Sequence, residues 1–565
     1  MKEVDKLSID NEINYEEFYK GMGEFFNKTV KAWQSYISYE FIKGIRLSEL
    51  QKRVLNADNS QLLINGSGGS GKSTVLLYKL IKSMIEEKEP KKFLYISYNQ
   101  ILIDDTKKRA NKYPEFEKFK NNHHKVDICT FHQFAANILK DLGYPEVKDL
   151  NINYKTIERM RGNSARRVAS ILHKYTEGEL YPKLNLDERL YKTHDFTFVR
   201  DEILWMKANE YIRLEDYLEC ERAGRGNTPR LTKNQRKTIF KIYEDYREQA
   251  RNRKWTETNI DLEDYALTLI GKFHEIPESK KYDYIFIDEV QDLDAAQIKL
   301  LAMLSPKFLI MAGDSKQKIY KKTPHSYASL GIDVKNNNRN LRENHRSTEE
   351  IMKLANSLKF NDILKEQSII SYKNKGQKPK ILSFANPQKA MKHIGEKILE
   401  IQKSEPNSNI AIITREEESI SCGNHSNIRK YLGRYSSIIG IEQYNKKFEF
   451  GNQKQVIFTD LFNVKGLEFD YVFLLHFDRY HYPSKKEIEK LSKYLSDKET
   501  RNKYEDSEIK DYEDLINIEK KRLYVGITRA KKELELICFA KTEGEVSPFI
   551  KDFNREDYEY KFYKR

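Results

Sequence analysis

Residues 66–74 read Gly-Ser-Gly-Gly-Ser-Gly-Lys-Ser-Thr, and this run decides the fold of the first part of the chain. It has the spacing of a phosphate-binding loop, follows an apolar run at 62–65 and leads into a predicted helix. In such a loop the backbone N–H groups and the helix start cradle phosphates, Lys72 reaches the β- and γ-phosphates, and the Ser73 hydroxyl ligates Mg²⁺. The alternative, a glycine-rich structural turn, explains neither the lysine nor the context. The predicted nucleotide contacts are Gly66, Gly68, Gly69, Ser70, Gly71, Lys72, Ser73 and Thr74.

Short apolar runs alternate with helical segments along most of the chain, a pattern typical of parallel α/β sheets with crossover helices. A first set of predicted strands lies at 62–65, 93–97, 126–130, 284–287 and 308–312. A second set lies at 380–384, 410–414, 455–459, 471–475 and 533–538. The sequence therefore predicts an α/β fold with two tandem domains.

The domain boundaries follow from where the strand pattern stops. The first α/β domain is predicted at 46–150 and 255–340, interrupted by a helical insertion at 151–254 that lacks strand signals. The second domain is predicted at 341–565, with a charged helix–loop insertion at 478–516. Residues 1–45 are predicted to form a helical extension that packs on the main domain or docks a protein partner.

Length and composition restrict the class of protein. A chain of 565 residues is too long for a single hydrophobic core, and 39% hydrophobic with 33% charged residues excludes collagen-like and disordered classes. The apolar runs are far shorter than the roughly 18 to 20 residues that cross a bilayer, so no membrane partner is expected. The first residues lack the apolar centre of a signal peptide, which predicts a cytoplasmic protein.

The charge balance favours a polyanionic partner. The formal net charge is +14, and the end of the helical insertion is strongly basic. Arg236 and Lys237 lie in that segment and are predicted to contact nucleic-acid phosphates. The alternative is a solvated helix face, since charge runs are commonly surface features.

An acidic pair completes the predicted nucleotide chemistry. Asp288-Glu289 ends the apolar run 284–287, and the carboxyl ends of parallel strands are where ligands of α/β sheets bind. Asp288 is predicted to hold Mg²⁺, and Glu289 to act as general base toward the attacking water. A strand-end acidic turn is the alternative.

With this pair in place, the chain resembles superfamily 1 helicases of the UvrD/Rep type. The resemblance runs through most of the chain and depends on the order and spacing of nine motifs. They are Leu47-Ser48-Glu49-Leu50-Gln51, the loop at 66–74, Tyr98-Asn99-Gln100, Thr130-Phe131-His132, Asp288-Glu289-Val290-Gln291-Asp292, Gly313-Asp314-Ser315-Lys316-Gln317-Lys318-Ile319-Tyr320, Asn344-His345-Arg346-Ser347, Lys465-Gly466-Leu467-Glu468-Phe469, and Arg522-Leu523-Tyr524-Val525-Gly526-Ile527-Thr528-Arg529-Ala530. The resemblance implies two tandem RecA-like P-loop domains that hold ATP and Mg²⁺ between them.

The resemblance also implies roles for residues outside the loop. Gln51 would contact the adenine, and His345, at a position where the family usually has tyrosine, would stack on it. Glu468 would touch the nucleotide sugar, Gly466 would line the cleft wall, and Gln317 would sense the γ-phosphate. Each role belongs to the matching motif position in this sequence.

Two arginines and a group of aromatic and polar residues carry the remaining implied roles. Arg346 and Arg529 would reach the γ-phosphate from the second domain. Taken without its motif, each arginine would instead be assigned to a surface ion pair. For the aromatic side chains, and most of all for Phe131, packing in the hydrophobic core is the alternative to contact with a strand. The residues implied to contact a single strand are Tyr98, Asn99, Thr130, Phe131, His132 and Tyr320.

The expected activity is ATP-driven 3′ to 5′ movement on single-stranded DNA, with a tailed duplex as substrate. Only 112 residues separate Arg346 from Thr459, which leaves little room for the large helical insertion common in this family. One alternative is therefore an ATP-gated motor or regulatory subunit of a nuclease or antiviral complex that unwinds poorly alone. Another is action on RNA or on a transcription complex, since no residue pattern distinguishes ribose from deoxyribose.

Overall fold

The computed structural model describes residues 45–564 with short gaps. The residues within that range that it does not describe are 99, 115, 151, 153, 223–224, 226–230, 252–253, 306, 315–325, 362–370, 416–422, 444–454, 465, 496–504 and 541. The predicted helical extension, apart from Ile45, and the predicted roles of Asn99, Gln317 and Tyr320 therefore lie outside the described residues.

Six parallel strands form the first sheet. They are β1 (Gln61–Gly66), β2 (Lys92–Ser97), β3 (Lys125–Thr130), β4 (Tyr284–Ile287), β5 (Phe308–Gly313) and β6 (Asn338–Leu341), in the order β3-β2-β4-β5-β1-β6. Strands β2, β4 and β5 are buried along nearly their whole length and β1 is buried at 62–64, as expected for a parallel sheet covered by helices on both faces. Because all strands run the same way, the loops after β1, β4 and β5 meet at one edge.

Helices cover this sheet and build a separate layer beside it. Those that belong to the sheet are α1 (Glu49–Leu55), α2 (Lys72–Glu86), α3 (Gln100–Ala110), α4 (Phe116–Asn122) and α5 (Phe131–Asp141) before the insertion. The inserted helices are α6 (Tyr154–Thr176), α7 (Phe196–Ala208), α8 (Leu214–Glu219) and α9 (Lys233–Arg251). The chain then returns through α10 (Asp264–Gly271) and, after β4, α11 (Ala295–Leu304).

The inserted helices have their own apolar core, to which Val168, Phe198 and Ile239 contribute. A buried charged group connects them to the segment that returns to the first sheet. Asp261 accepts hydrogen bonds at 2.5 Å from Lys207 and from a guanidinium nitrogen of Arg167. Since a buried carboxylate requires such partners, this contact fixes where the insertion rejoins the α/β layer.

Seven parallel strands form the second sheet. They are β9 (Lys380–Phe384), β10 (Ile410–Thr414), β11 (Ser437–Gly440), β12 (Gln455–Asp460), β13 (Phe469–Leu475), β14 (Ala530–Phe539) and β15 (Glu559–Tyr563), in the order β11-β12-β10-β13-β14-β9-β15. Two further strands, β7 (Glu343–Thr348) and β8 (Ser371–Asn374), pair with each other. The helices of this part are α12 (Glu349–Asn356), α13 (Pro387–Ser404), α14 (Gly423–Leu432), α15 (Lys485–Leu495) and α16 (Glu505–Ile527).

The predicted fold class is confirmed: the chain is α/β with two parallel sheets. Every predicted strand is present, although β13 and β14 begin two and three residues earlier than predicted. The predicted insertion at 478–516 contains α15 and the first half of α16. None of the described helices combines the length and apolarity needed to span a membrane.

Candidate active site

The phosphate-binding loop connects β1 to α2 at the carboxyl edge of the first sheet. Lys72 begins α2, and its ammonium group donates to the carbonyl oxygens of Gly66 at 2.8 Å and Ser67 at 3.1 Å. The lysine is thus held inside the curl of its own loop. This is the position from which it can exchange carbonyl oxygens for phosphate oxygens.

Two glycines of the loop have no substitute. Gly69 and Gly71 have φ of +86° and +83°, in the left-handed region that side chains rarely adopt. A Cβ on Gly69 would lie 2.7 Å from Cβ of Arg346, and one on Gly71 would lie 2.3 Å from Nε2 of Gln51. The loop is therefore packed closely between a helix that precedes it and a strand that belongs to the second half of the chain.

Gln51 supports the loop from α1. Its side-chain oxygen accepts from the Ser48 N–H at 2.9 Å, which closes a capping box at the start of the helix. Its amide nitrogen donates to the carbonyl oxygen of Ser70 at 3.0 Å. The predicted adenine contact therefore lies directly against the phosphate loop.

Asp288 lies across from the loop, at the end of β4. One carboxylate oxygen accepts from the Tyr95 hydroxyl at 3.0 Å, and the carboxylate also hydrogen-bonds to Ser73. Burial and the charge of Glu289 raise the pKa of Asp288 to about 6. The half-buried Ser73 and the buried Asp288 thus form a pair of oxygen ligands whose excess negative charge a divalent cation would neutralise, which fits Mg²⁺.

Glu289 takes an unusual backbone conformation, with φ of +53° and ψ of +45°. Such a conformation costs a non-glycine residue about 1 to 3 kcal/mol, and strain of this kind is concentrated at functional sites. Gln291 donates to the Glu289 carboxylate, and its oxygen accepts from the Asp314 N–H at 3.0 Å. The strained turn therefore aims the carboxylate, and a glutamine that bridges β4 and β5 holds it there.

Strand β7 brings the second half of the chain onto the loop. The Asn344 amide donates to the Gly68 carbonyl oxygen at 2.7 Å, and the His345 N–H donates to the Gly69 carbonyl oxygen at 3.0 Å. Burial lowers the pKa of His345, which favours the neutral ring at neutral pH. The next residue, Arg346, therefore begins its side chain at the edge of the loop.

Both predicted arginines are engaged with neighbouring groups of the second half. Arg346 forms an ion pair with Glu468, with 2.5 Å between Nε and Oε2, and this arginine lowers the pKa of Glu468 to about 2. Arg529 is fully buried and donates to the carbonyl oxygens of Leu467 and Val525, each at 3.0 Å. Burial and the charge of Arg346 lower the pKa of Arg529 to about 10, so it stays charged at neutral pH.

The two guanidinium groups therefore share one electrostatic environment with Glu289. The charge of Glu289 raises the pKa of Arg529, opposing the effect of Arg346. Gly466 lies where the second half of the chain packs closely against α3 beside the first sheet. A Cβ on Gly466 would lie 2.3 Å from Leu102 of α3. A lysine, two carboxylates and two arginines thus converge from both halves of the chain, an arrangement suited to binding and cleaving a triphosphate.

The raised pKa of Asp288 predicts a pH-dependent gain in stability on removal of its charge. Between the unfolded value near 4 and the folded value near 6 the native state holds the extra proton, so native stability falls as pH rises through this window. We expect Asp288→Asn, without nucleotide or Mg²⁺, to raise the free energy of unfolding by about 1 to 3 kcal/mol at pH 8. Chemical denaturation at pH 8 and pH 4 measures this, and a gain of equal size at both would contradict it.

Three predicted strand-binding residues are placed differently from the expectation. Thr130 caps α5 through a capping box with Gln133, which starts the helix at once and turns the next two side chains inward. Phe131 is 1% exposed and His132 is 3% exposed, with the His132 ring packed edge-on against Tyr265. The prediction that these rings stack on bases is therefore corrected to core packing, while Tyr98 is half-buried against the same core.

The prediction for Arg236, at the basic end of the insertion, is also corrected. Arg236 donates to the carbonyl oxygens of Tyr217 and Cys220 at 3.1 and 3.0 Å, so its charge stabilises the carboxyl end of α8. Other arginines of this segment, Arg222 and Arg225, pair with the buried carboxylate of Glu202. Lys237 lies half-buried on α9, and its contact with nucleic-acid phosphates stays a prediction. Arg222, Arg225 and Arg236 therefore have structural partners. These partners lie too far away along the sequence to be recognised from the charge pattern.

Three further residues order the site and had no predicted role. Asn344 contacts the loop and also accepts from the N–H groups of Arg346 and Ser347, each at 3.0 Å. Tyr95 binds the Asp288 carboxylate from the middle of β2, and Gln291 positions Glu289. Asn344 and Gln291 lie within the quoted motifs, which is the signal that could have found them, whereas nothing in the sequence marks Tyr95.

Two models of helicase domains match most of the chain. The UvrD/REP helicase N-terminal domain matches residues 47–322, and the UvrD-like helicase C-terminal domain matches residues 339–422 and 424–541. The ATP-dependent DNA helicase PcrA of Bacillus subtilis (strain 168) is 24% identical over 366 residues, covering 61% of this chain and 43% of that protein. The ATP-dependent DNA helicase Rep of Buchnera aphidicola subsp. Acyrthosiphon pisum is 25% identical over 364 residues, covering 62% and 50%.

A probable DNA helicase II homolog of Mycoplasma capricolum subsp. capricolum is 26% identical over 369 residues, covering 62% of this chain and 46% of that protein. The chain thus matches about half the length of each of these relatives. Both domain matches together extend over most of the chain and include the loop, the acidic pair and both arginines. The chain belongs to the UvrD/Rep-type family of superfamily 1 helicases.

Proposed function

We propose that this protein is an ATP-dependent DNA helicase that moves 3′ to 5′ along single-stranded DNA and couples ATP hydrolysis in the cleft to strand movement. The observation that carries the proposal is the contact of β7 with the phosphate loop through Asn344 and His345. A nucleotide in the loop would lie beside residues from both halves of the chain. Its binding and loss would therefore change how the two halves sit together.

For a triphosphate to bind in the cleft, each cationic side chain there must exchange its present partner for phosphate oxygens. Lys72 holds loop carbonyl oxygens, Arg346 holds Glu468, and Arg529 holds backbone carbonyl oxygens of its own domain. A triphosphate offers all three a stronger anionic partner. Nucleotide binding is thus coupled to breaking contacts in both halves.

Hydrolysis would use the two carboxylates differently. Ser73 and Asp288 would hold Mg²⁺, which when bound neutralises charge on the phosphates. Glu289 would take the proton of the attacking water, and Arg346 with Arg529 would stabilise the charge that develops on the transferred phosphoryl group. The strand itself would lie across both domains, and with Phe131 and His132 in the core the remaining aromatic candidates are Tyr98 and Tyr320.

The test is the ATPase rate without nucleic acid, with single-stranded DNA, with RNA and with duplex, followed by strand displacement on tailed duplexes. We expect single-stranded DNA to increase turnover most, with displacement of a duplex that carries a 3′ tail. The Lys72→Ala variant gives the background, because without the ammonium group no side chain of the loop neutralises the phosphates. Stimulation by RNA alone, or turnover of the variant equal to wild type, would contradict the proposal.

A second candidate is a motor or regulatory subunit that translocates without unwinding unless a partner protein such as a nuclease is present. The short interval of 112 residues between Arg346 and Thr459 favours it, because it limits any accessory domain that could engage duplex. DNA-stimulated turnover without strand displacement is the outcome that selects this candidate over the first.

A further inference from the structure

A group of two histidines and an aspartate lies outside the cleft, in the loop that follows β13. His476, Asp478 and His481 each offer one ligand atom, and these atoms lie within 4.8 Å of one another. Glu468 directly precedes β13 and His476 directly follows it, and seven residues of strand extend about 20 Å. The group therefore lies at the edge of the second sheet opposite to the nucleotide.

The backbone holds this loop from several sides. Phe477 donates to the Ile537 carbonyl oxygen at 2.9 Å, and Asp478 forms an antiparallel bridge with Val546. The guanidinium of Arg415, itself paired with Glu519 at 2.5 Å, donates to the His481 carbonyl oxygen at 2.6 Å. The histidines are thus presented by a fixed loop, with little ordering left for a ligand to impose.

The aspartate is placed as a ligand between the two rings. Asp478 is 2% exposed, and its Oδ1 accepts from the backbone of Tyr480 at 2.9 Å and from Nδ1 of His481 at 2.8 Å. Its Oδ2 faces Nδ1 of His476 at 3.9 Å. The two imidazole rings lie 4.4 Å apart between centroids, and both keep partial access to solvent.

Two neutral imidazoles and one carboxylate form a ligand set that suits Zn²⁺ and related transition-metal ions rather than Mg²⁺ or Ca²⁺, which prefer oxygen. Metal bonds of about 2.0 to 2.2 Å require the ligand atoms to close in by about an ångström, which rotation of the two partly exposed rings can supply. We propose that His476, Asp478 and His481 bind one divalent transition-metal ion, such as Zn²⁺, with water completing its coordination. The ion would take the place of the hydrogen between His481 Nδ1 and Asp478, and the neutral His481 ring would then carry its hydrogen on Nε2.

The proposal is tested by calorimetric titration of Zn²⁺ into the chelator-treated chain of 565 residues without nucleotide. We expect one site in the wild type, with binding weakened about 100-fold or more in His476→Ala and His481→Ala, since even the loss of an outer hydrogen-bonding partner weakens zinc sites about 10- to 100-fold. Asp478→Asn keeps an oxygen for the Tyr480 N–H and should preserve the turn while weakening binding. Zn²⁺ should raise the melting temperature of the wild type but not of the His476 and His481 variants.

His393→Ala is the matched control, because His393 also contacts a carboxylate, Glu535 at 2.9 Å, but belongs to no group of three metal-ligating side chains among the described residues. Its Zn²⁺ affinity should equal that of wild type. Absence of a stoichiometric site in the wild type, or equal affinity in all the variants, overturns the proposal. Circular dichroism of each variant after chelator treatment checks that the variant is folded, so that weaker binding is not caused by unfolding.

Discussion

Replacing Arg346 with alanine is expected to lower the DNA-stimulated ATPase rate by about 10³- to 10⁵-fold, the usual effect of removing an arginine that stabilises phosphoryl transfer. The side chain starts at the phosphate loop, since the position of a Gly69 Cβ lies 2.7 Å from Cβ of Arg346. Because the side chain starts beside the loop, the guanidinium would reach phosphates bound there by rotating away from Glu468. Steady-state ATP hydrolysis with saturating single-stranded DNA measures the effect.

The stability of this variant should change little, because Arg346 and Glu468 are both partly exposed and Glu468 retains Lys531 at 3.7 Å. Arg342→Ala is the matched control: its side chain is exposed, four residues earlier, and the alanine variant keeps the backbone carbonyl oxygen that accepts from the Ser371 N–H. Its turnover should equal that of wild type. If Arg346→Ala retains more than about a tenth of wild-type turnover, Arg346 has no such role in the reaction, since a phosphoryl-transfer arginine contributes far more.

Sequence patterns predict those strands whose apolar runs stop abruptly. Strand β4 has the predicted limits because four apolar residues are followed at once by Asp288 and Glu289. Strand β14 begins earlier than predicted because its first residues include Lys531 and Lys532, which read as loop. They extend the strand because Ala530 pairs with Phe469 at the cleft end of β13. Pairing across the sheet, which no local pattern contains, sets that boundary.

The residues of the site also differ in whether local sequence patterns predict their contacts. Residues that bind through backbone geometry, such as Gly69 and Gly71, follow from local spacing, since only glycine tolerates their φ. Contacts that long side chains make outside the motifs do not follow from local spacing. Arg236 reaches the end of α8 from 16 or more residues away, and Phe131 enters the core because Thr130 caps a helix. Both contacts depend on packing angles between elements, which charge or aromatic content cannot reveal.

The second large effect is expected for Glu289→Gln, which should lower turnover by about 10²- to 10⁴-fold while ATP still binds. Glutamine has the shape of glutamate and tolerates the same left-handed backbone, but it cannot accept the proton of the attacking water. Removal of the Glu289 charge also lowers the pKa of Asp288, because that charge is one of the two causes of its rise. The affinity for ATP with Mg²⁺ should therefore be kept or increased, which separates this variant from Lys72→Ala.

Fluorescent-nucleotide binding and single-turnover hydrolysis measure the two quantities separately. Asp294→Asn is the matched control, since it makes the same carboxylate-to-amide change on a buried side chain five residues later. Asp294 caps α11 by accepting from the Gln297 N–H at 3.0 Å, and asparagine caps helices equally well, so both quantities should stay at wild-type values. Turnover by Glu289→Gln within about threefold of wild type is too small a loss for a general base and would move that role to another group. Loss of nucleotide binding together with turnover would instead show that the strained turn at Glu289 holds the phosphate loop in place.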